Sequence, residues 1–252
     1  MVNYGLENKV VLVTGGSRGI GLETARDLLA QKAKVVICAR KQEGLEKAEA
    51  ELQGGENLLT VAANISKPDE VESLFSAVVE KFNGIDILVN NMGMNLMTAS
   101  VVDADFSLWQ KILDSNLNST YLCAVNAARI MKDKGGGKIV NLSSIAGSRS
   151  APGMGIYGVA KAAIEMLTKV LAHELASFNI QVNAVAPSMV KTGFSMPFWS
   201  DENILNEIIK GIPAGRIAEI EDVVNAILFL ISAKSDFITG QVINVDGGAS
   251  AV

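Results

Sequence analysis

Short apolar runs of strand length alternate with segments of helical period along nearly the whole chain, and this rhythm leaves few folds open. The runs lie near Val10–Thr14, Lys34–Cys38, Leu58–Ala62, Ile85–Asn90, Lys138–Ser143, Gln181–Ala186 and Gln241–Val245. Their near-continuous Val, Ile and Leu content is what strands covered on both faces require. Strands that alternate with helices pair in parallel through crossover connections. The expectation is an α/β fold in one domain spanning 1–252: a doubly wound parallel sheet of seven strands with helices on both faces. A chain of 252 residues, 49% hydrophobic and 19% charged, is long and apolar enough to bury such a core.

Directly after the first run comes Thr14-Gly15-Gly16-Ser17-Arg18-Gly19-Ile20-Gly21, which opens a helix near Leu22. Strand, glycine turn and helix in register make a Rossmann-type phosphate cradle. Gly15, Gly19 and Gly21 remove the Cβ atoms that would hold a pyrophosphate away from the backbone around Ser17, Arg18 and Ile20, and the helix N-terminus supplies partial positive charge. The second strand selects the dinucleotide. NAD sites place a carboxylate at its end for the ribose diol, but here Ala39 stands there, followed by Arg40, with Arg18 in the turn. Two guanidiniums converging on a 2′-phosphate predict NADPH; the plain alternative is that Arg40 and Lys41 solvate the end of a strand.

Tyr157 and Lys161, in Y-G-V-A-K, are one helical turn apart and rise from one face. A cation held beside a phenol favours phenolate, which suits proton exchange at a carbonyl or alcohol. Ser143 and Ser144 close the fifth run, at the end of a strand where open α/β sheets bind ligands. In this order the motifs resemble the classical short-chain dehydrogenase/reductase family over almost the whole chain, and within it 3-oxoacyl-[acyl-carrier-protein] reductases and NADPH-dependent carbonyl reductases.

That resemblance implies a catalytic set of Asn116, Ser144, Tyr157 and Lys161, Ser144 rather than Ser143 because it stands thirteen residues before Tyr157. It implies that Tyr157 exchanges a proton with the substrate oxygen and that Lys161 lowers its pKa while binding the nicotinamide ribose. Ser144 would steady the developing charge, and Asn116 would hold the main chain and a relaying water. Asn64-Ile65 is similar to the family's adenine-contacting pair. Asn90-Asn91-Met92-Gly93 is similar to N-N-A-G, with Met92 either narrowing the cleft or pointing elsewhere. Pro187-Ser188-Met189-Val190-Lys191-Thr192 is similar to P-G-x-x-x-T, in which Pro187, Val190 and Thr192 face the nicotinamide. Serine replaces glycine at 188, which would shift the loop if a glycine-like angle were needed.

Between 189 and 212 the rhythm breaks into Phe194, Met196, Phe198 and Trp199, read as a substrate lid or else an ordinary helical excursion. With Met94, Leu96 and Met97 these side chains suit an apolar substrate; a carrier-protein substrate would add basic residues at the mouth, for which Lys191 and Arg149 are candidates. A net charge of −5 without a basic cluster speaks against nucleic acid. No apolar stretch reaches a membrane span, and no leader pattern opens the chain, so a cytoplasmic protein is expected. Cys38 and Cys123 read as buried thiols in a reducing compartment, and His173, the only histidine, as a structural helical residue without a metal partner. Two apolar surfaces, the helix bearing Ala160, Ala163, Ile164, Leu167, Val170 and Leu171 and the strand and tail 241–252, suggest a homotetramer, unless the helix simply faces its own sheet and the tail is loose. The competing function is a non-catalytic dinucleotide-binding subunit.

Overall fold

The computed structural model describes residues 3–251. Its elements run β1 (Val10–Thr14), α1 (Gly19–Ala30), β2 (Lys34–Ala39), α2 (Gln42–Leu52), β3 (Leu58–Ala62), α3 (Pro68–Phe82), β4 (Ile87–Asn90), α4 (Phe106–Leu113), α5 (Ser119–Lys134), β5 (Gly137–Leu142), α6 (Gly155–Leu175), β6 (Ile180–Pro187), α7 (Met196–Trp199), α8 (Glu202–Lys210), α9 (Ile220–Ile231) and β7 (Val242–Val245). All seven strands pair in parallel, in the order β3-β2-β1-β4-β5-β6-β7, so the sheet is the doubly wound one that the sequence rhythm predicts.

Each strand lies within two residues of its expected position. β4 begins at Ile87 rather than Ile85, because Asp86 turns aside to accept the Val10 N–H on its carboxylate at 2.8 Å and to pair with Lys134. Alternation along β1 shows why the runs are apolar throughout. Val11 and Val13 enter one core with Leu28, Leu45 and Ile227, while Val10 and Leu12 enter the other with Leu74, Val78 and Met131. Each large side chain fully buried this way contributes about 1.5–3 kcal/mol. Cys38 and Cys123 both lie free in the second core, where burial pushes the Cys38 thiol up to about 12.

A polar string crosses the middle of this apolar packing. Asn90 Nδ2 donates to Asn141 Oδ1 (3.0 Å), Asn141 Nδ2 donates to Thr168 Oγ1 (2.9 Å), and Thr168 Oγ1 donates to the Ile164 carbonyl (2.8 Å). It hooks β4 to β5 and β5 to α6. Inside a protein such bonds are costly to break, because each orphaned partner loses about 1–3 kcal/mol.

Segment 189–212 folds as α7 and α8, beginning from a bridge between Val190 and Ala218. Met189, Trp199, Leu205 and Ile208 pack with Ile212, Ile217 and Ala249, while Phe194 and Met196 stay exposed. Arg149 donates to the Ala249 carbonyl, and Asp246 accepts from the Gly248 and Ser250 N–H groups, so the described part of the tail is tied down. Val252 lies outside the described residues. Among the described residues no helix is long and apolar enough to cross a membrane.

Candidate active site

Strand order reverses between β1 and β4, and a cleft opens there at the carboxyl ends of the strands. After Thr14 the chain turns sharply, with the Gly15 and Gly16 N–H groups donating to the Cys38 carbonyl at 2.9 and 3.3 Å. Gly15 and Gly19 hold φ of +66° and +57°, the left-handed region that favours glycine. Gly21 is needed for a different reason: a Cβ there would lie 2.5 Å from both Asn91 Nδ2 and the Gly15 carbonyl oxygen. Asn91 laces this turn to the one after β4, donating to the carbonyls of Thr14 (2.9 Å) and Gly15 (3.2 Å). Thr14 Oγ1 returns the contact by accepting the Asn91 and Met92 N–H groups. α1 starts at this point with no side-chain cap from Arg18, which leaves its positive end to the cleft.

The cleft encloses about 420 Å³, with walls that include Gly15, Ala39, Arg40, Asn64, Ile65 and Met92. Met92 does both things that its size allows: it packs on the second core and forms part of the cleft wall. Arg18 and Arg40 are exposed, and neither guanidinium forms an ion pair or hydrogen bond among the described residues. Asn64 faces the cleft with its N–H donating to Glu70 (2.6 Å). Asn90 lies deeper, its amide nitrogen shared between Asn141 and the Thr120 carbonyl.

Beside the cleft, Ser143 and Ser144 part company. Ser143 Oγ turns inward and donates to Glu165 Oε1 at 2.8 Å, whereas Ser144 Oγ accepts the Ala146 N–H at 3.2 Å and lies near enough to the Tyr157 hydroxyl to favour its ionised form. Tyr157 and Lys161 rise together from α6, the Lys161 Nζ standing 5.4 Å from the centre of the tyrosine ring and donating to the Leu142 carbonyl at 2.6 Å. Asn116 is fully buried in a π-helical turn, Asp114–Asn118, that interrupts the helix between α4 and α5. Such bulges re-aim side chains, often at functional sites. Its amide nitrogen donates to the carbonyls of Met94 (2.7 Å) and Ile112 (2.8 Å), and its oxygen accepts the Met94 N–H. Gly93 passes so near that a Cβ would be 3.3 Å from the Asn116 oxygen and 3.5 Å from the Lys161 Nζ.

A family model described as enoyl-(acyl carrier protein) reductase matches residues 15–250. Human dehydrogenase/reductase SDR family member 4 is 38% identical over 244 residues, which cover 96% of this chain and 88% of that protein. The chain belongs to the short-chain dehydrogenase/reductase family. A 3alpha-hydroxysteroid dehydrogenase from Mediterraneibacter gnavus is 37% identical over 247 residues, covering 97% of this chain and 98% of that one. The structure of a short-chain type dehydrogenase/reductase from Mycobacterium ulcerans superposes with a TM-score of 0.94 at 32% identity, covering 98% and 91% of the two chains. As a short-chain dehydrogenase/reductase the protein is an oxidoreductase of the CH–OH/C=O class, which uses a nicotinamide dinucleotide and a small-molecule substrate. The glycine cradle, with Gly21 in van der Waals conflict with any Cβ, and the uncapped start of α1 fit the diphosphate of that cofactor.

Burial dominates the electrostatics of the pair. Burial pushes the Tyr157 phenol up to about 12, and the hydrogen bond with Ser144 is the influence that opposes it. Burial likewise lowers Lys161 to about 8, opposed by the Glu165 carboxylate. The Lys161 ammonium donates to the Leu142 carbonyl and lies over the tyrosine ring.

The third loop is held from within. Ser195 is buried and donates to the carbonyl of Val190, its Oγ accepts the Thr192 N–H (3.2 Å), and Trp199 Nε1 donates to the Thr192 carbonyl (3.0 Å). The Thr192 side chain thereby comes to rest against Gly19, where a Cβ would meet it at 3.8 Å. Ser188 takes no positive φ, so the serine costs this loop no strain, and its N–H donates to Val245. Arg149 and Lys191 are less free than a mouth role would want, Arg149 being tied to Ala249 and Lys191 lying 3.9 Å from Glu219. Ser195, Lys111 of the cleft wall and Glu165 went unnoticed in the sequence because no spacing marks them.

Proposed function

We propose that the protein is an NADP(H)-dependent enzyme that interconverts a ketone or 3-oxoacyl thioester and its secondary alcohol, with Asn116, Ser144, Tyr157 and Lys161 as its catalytic set. The convergence of Ser144, Tyr157 and Lys161, with the lysine ammonium 5.4 Å from the tyrosine ring, carries this reading. The bound nicotinamide supplies or accepts the hydride. Tyr157 gives its proton to the substrate oxygen in reduction and takes it back in oxidation. The Ser144 hydroxyl donates to the same oxygen and steadies its developing charge. Lys161 holds a positive charge below the phenol, and Asn116 fixes the loop of Gly93 and Met94 against it.

Preference for NADPH is supported by the unpaired Arg18 and Arg40 and by the absence of a carboxylate at Ala39. In Arg40→Asp the KM for NADPH is expected to rise about tenfold or more, since a charge-assisted bond worth roughly 1.5–3 kcal/mol becomes repulsion. Steady-state kinetics with both cofactors checks this; a wild type that already favours NADH would sink the assignment.

Segment 189–212 is read as the lid over the substrate side, supported by its exposed Phe194 and Met196. The hydroxysteroid dehydrogenase relative makes alicyclic secondary alcohols the first compounds to try, followed by aliphatic ketones and 3-oxoacyl thioesters. NADPH consumption by the purified protein alone separates this reading from a non-catalytic subunit.

A homotetramer remains the proposed assembly, on a smaller surface than the sequence suggests. Ala160, Ile164, Leu171 and Ala249 are buried within their own chain, Ala160 against α4, but Val159, Met166 and Val170 of α6, with Tyr121 of α5 and Phe237 near β7, stand exposed. Light scattering at micromolar concentration should give four times 26.6 kDa; a fully active monomer would refute it.

A further inference from the structure

Glu165 lies outside the proposed catalytic set, one helical turn beyond Lys161, yet two parts of the turn that carries Ser144 meet at its carboxylate. Ser143 Oγ donates to its Oε1 at 2.8 Å and also approaches the Lys161 carbonyl at 3.3 Å. Gly147, at the end of the short 3-10 turn Ile145–Gly147, sits so close that a Cβ there would be 2.8 Å from the same Oε1. Lys161 is 2% exposed, with the Leu142 carbonyl as its hydrogen-bond partner. The residue between these anchors is Ser144.

We propose that Glu165 is a positioning residue of the active site: its carboxylate clamps the 143–147 turn onto α6, which presents Ser144 to the cleft beside Tyr157. This rests on the catalytic reading of Ser144, Tyr157 and Lys161 given above. The clamp follows from geometry. Ser143 and Ser144 are neighbours in an extended stretch, so their side chains point to opposite sides. Anchoring Ser143 to α6 therefore presents Ser144 to the cleft.

Glu165→Gln keeps an oxygen for Ser143 and removes the charge; Glu165→Ala removes both. In ketone reduction kcat is expected to fall about tenfold in Glu165→Ala and to stay near wild type in Glu165→Gln, which keeps the Ser143 anchor, with the cofactor Kd near wild type in both variants showing that the fold is kept. A Glu165→Ala enzyme with wild-type kcat, or a Glu165→Gln enzyme that falls as far as Glu165→Ala, would overturn the proposal. Tyr157→Phe run alongside separates the two levels: if it stays active the catalytic reading itself has failed, and if it is dead while the Glu165 variants behave as wild type, only the clamp has.

Discussion

A Tyr157→Phe variant is expected to lose at least about 10²-fold in kcat, the contribution of a positioned general acid, while its cofactor Kd changes little. The ring should stay where it is, because it packs against Ile112, Ile156 and Ala160 through carbon atoms that phenylalanine retains. What disappears is the hydroxyl beside Ser144 and, with it, the proton proposed for the substrate oxygen. Fluorescence titration of NADPH beside stopped-flow turnover tests both halves. A variant with kcat near wild type would show that the proton comes from elsewhere, and one that loses cofactor binding as well would show that the hydroxyl organises the cleft rather than the chemistry.

The second large effect is expected at the other end of the cleft. In Gly21→Ala the new Cβ meets the Gly15 carbonyl oxygen, a backbone atom that cannot swing aside, and the Asn91 amide that holds both turns together. The turn must open, and the N–H groups it aims at the diphosphate lose their aim. Losing even two charge-assisted hydrogen bonds at roughly 1.5–3 kcal/mol each weakens cofactor binding by about 10²-fold or more. Calorimetric titration measures it, with far-UV circular dichroism showing that the sheet persists. Wild-type affinity in Gly21→Ala would mean that the cradle holds its ligand some other way.

Local chemistry decides how much of this was legible in the sequence. Strands announced themselves because burial on both faces leaves no polar alternation, and Tyr157 with Lys161 did so because a four-residue step on a helix is a contact in space. Ser144 could be told from Ser143 only through resemblance, and the structure supplies the physical reason: the inner hydroxyl is already taken by Glu165. The strength with which burial raises the tyrosine was not legible, because burial is a property of the whole fold. The π-helical turn that aims Asn116, the Ser195 contacts that pin the third loop and the shared burial of α6 all depend on residues distant in sequence, and no short pattern encodes them.

The polar string from Asn90 through Asn141 to Thr168 bears on how such an enzyme can change over generations. A helix seated on a sheet by greasy contacts alone has many nearly equivalent seats and drifts among them as side chains are replaced. Hooked at a fixed depth, α6 has one seat, and the acid it carries keeps its place while α7 and α8, joined to it by no such hook among the described residues, are free to be rewritten. Novelty in what the protein accepts can then accumulate on the rim without the proton donor ever having to be found again.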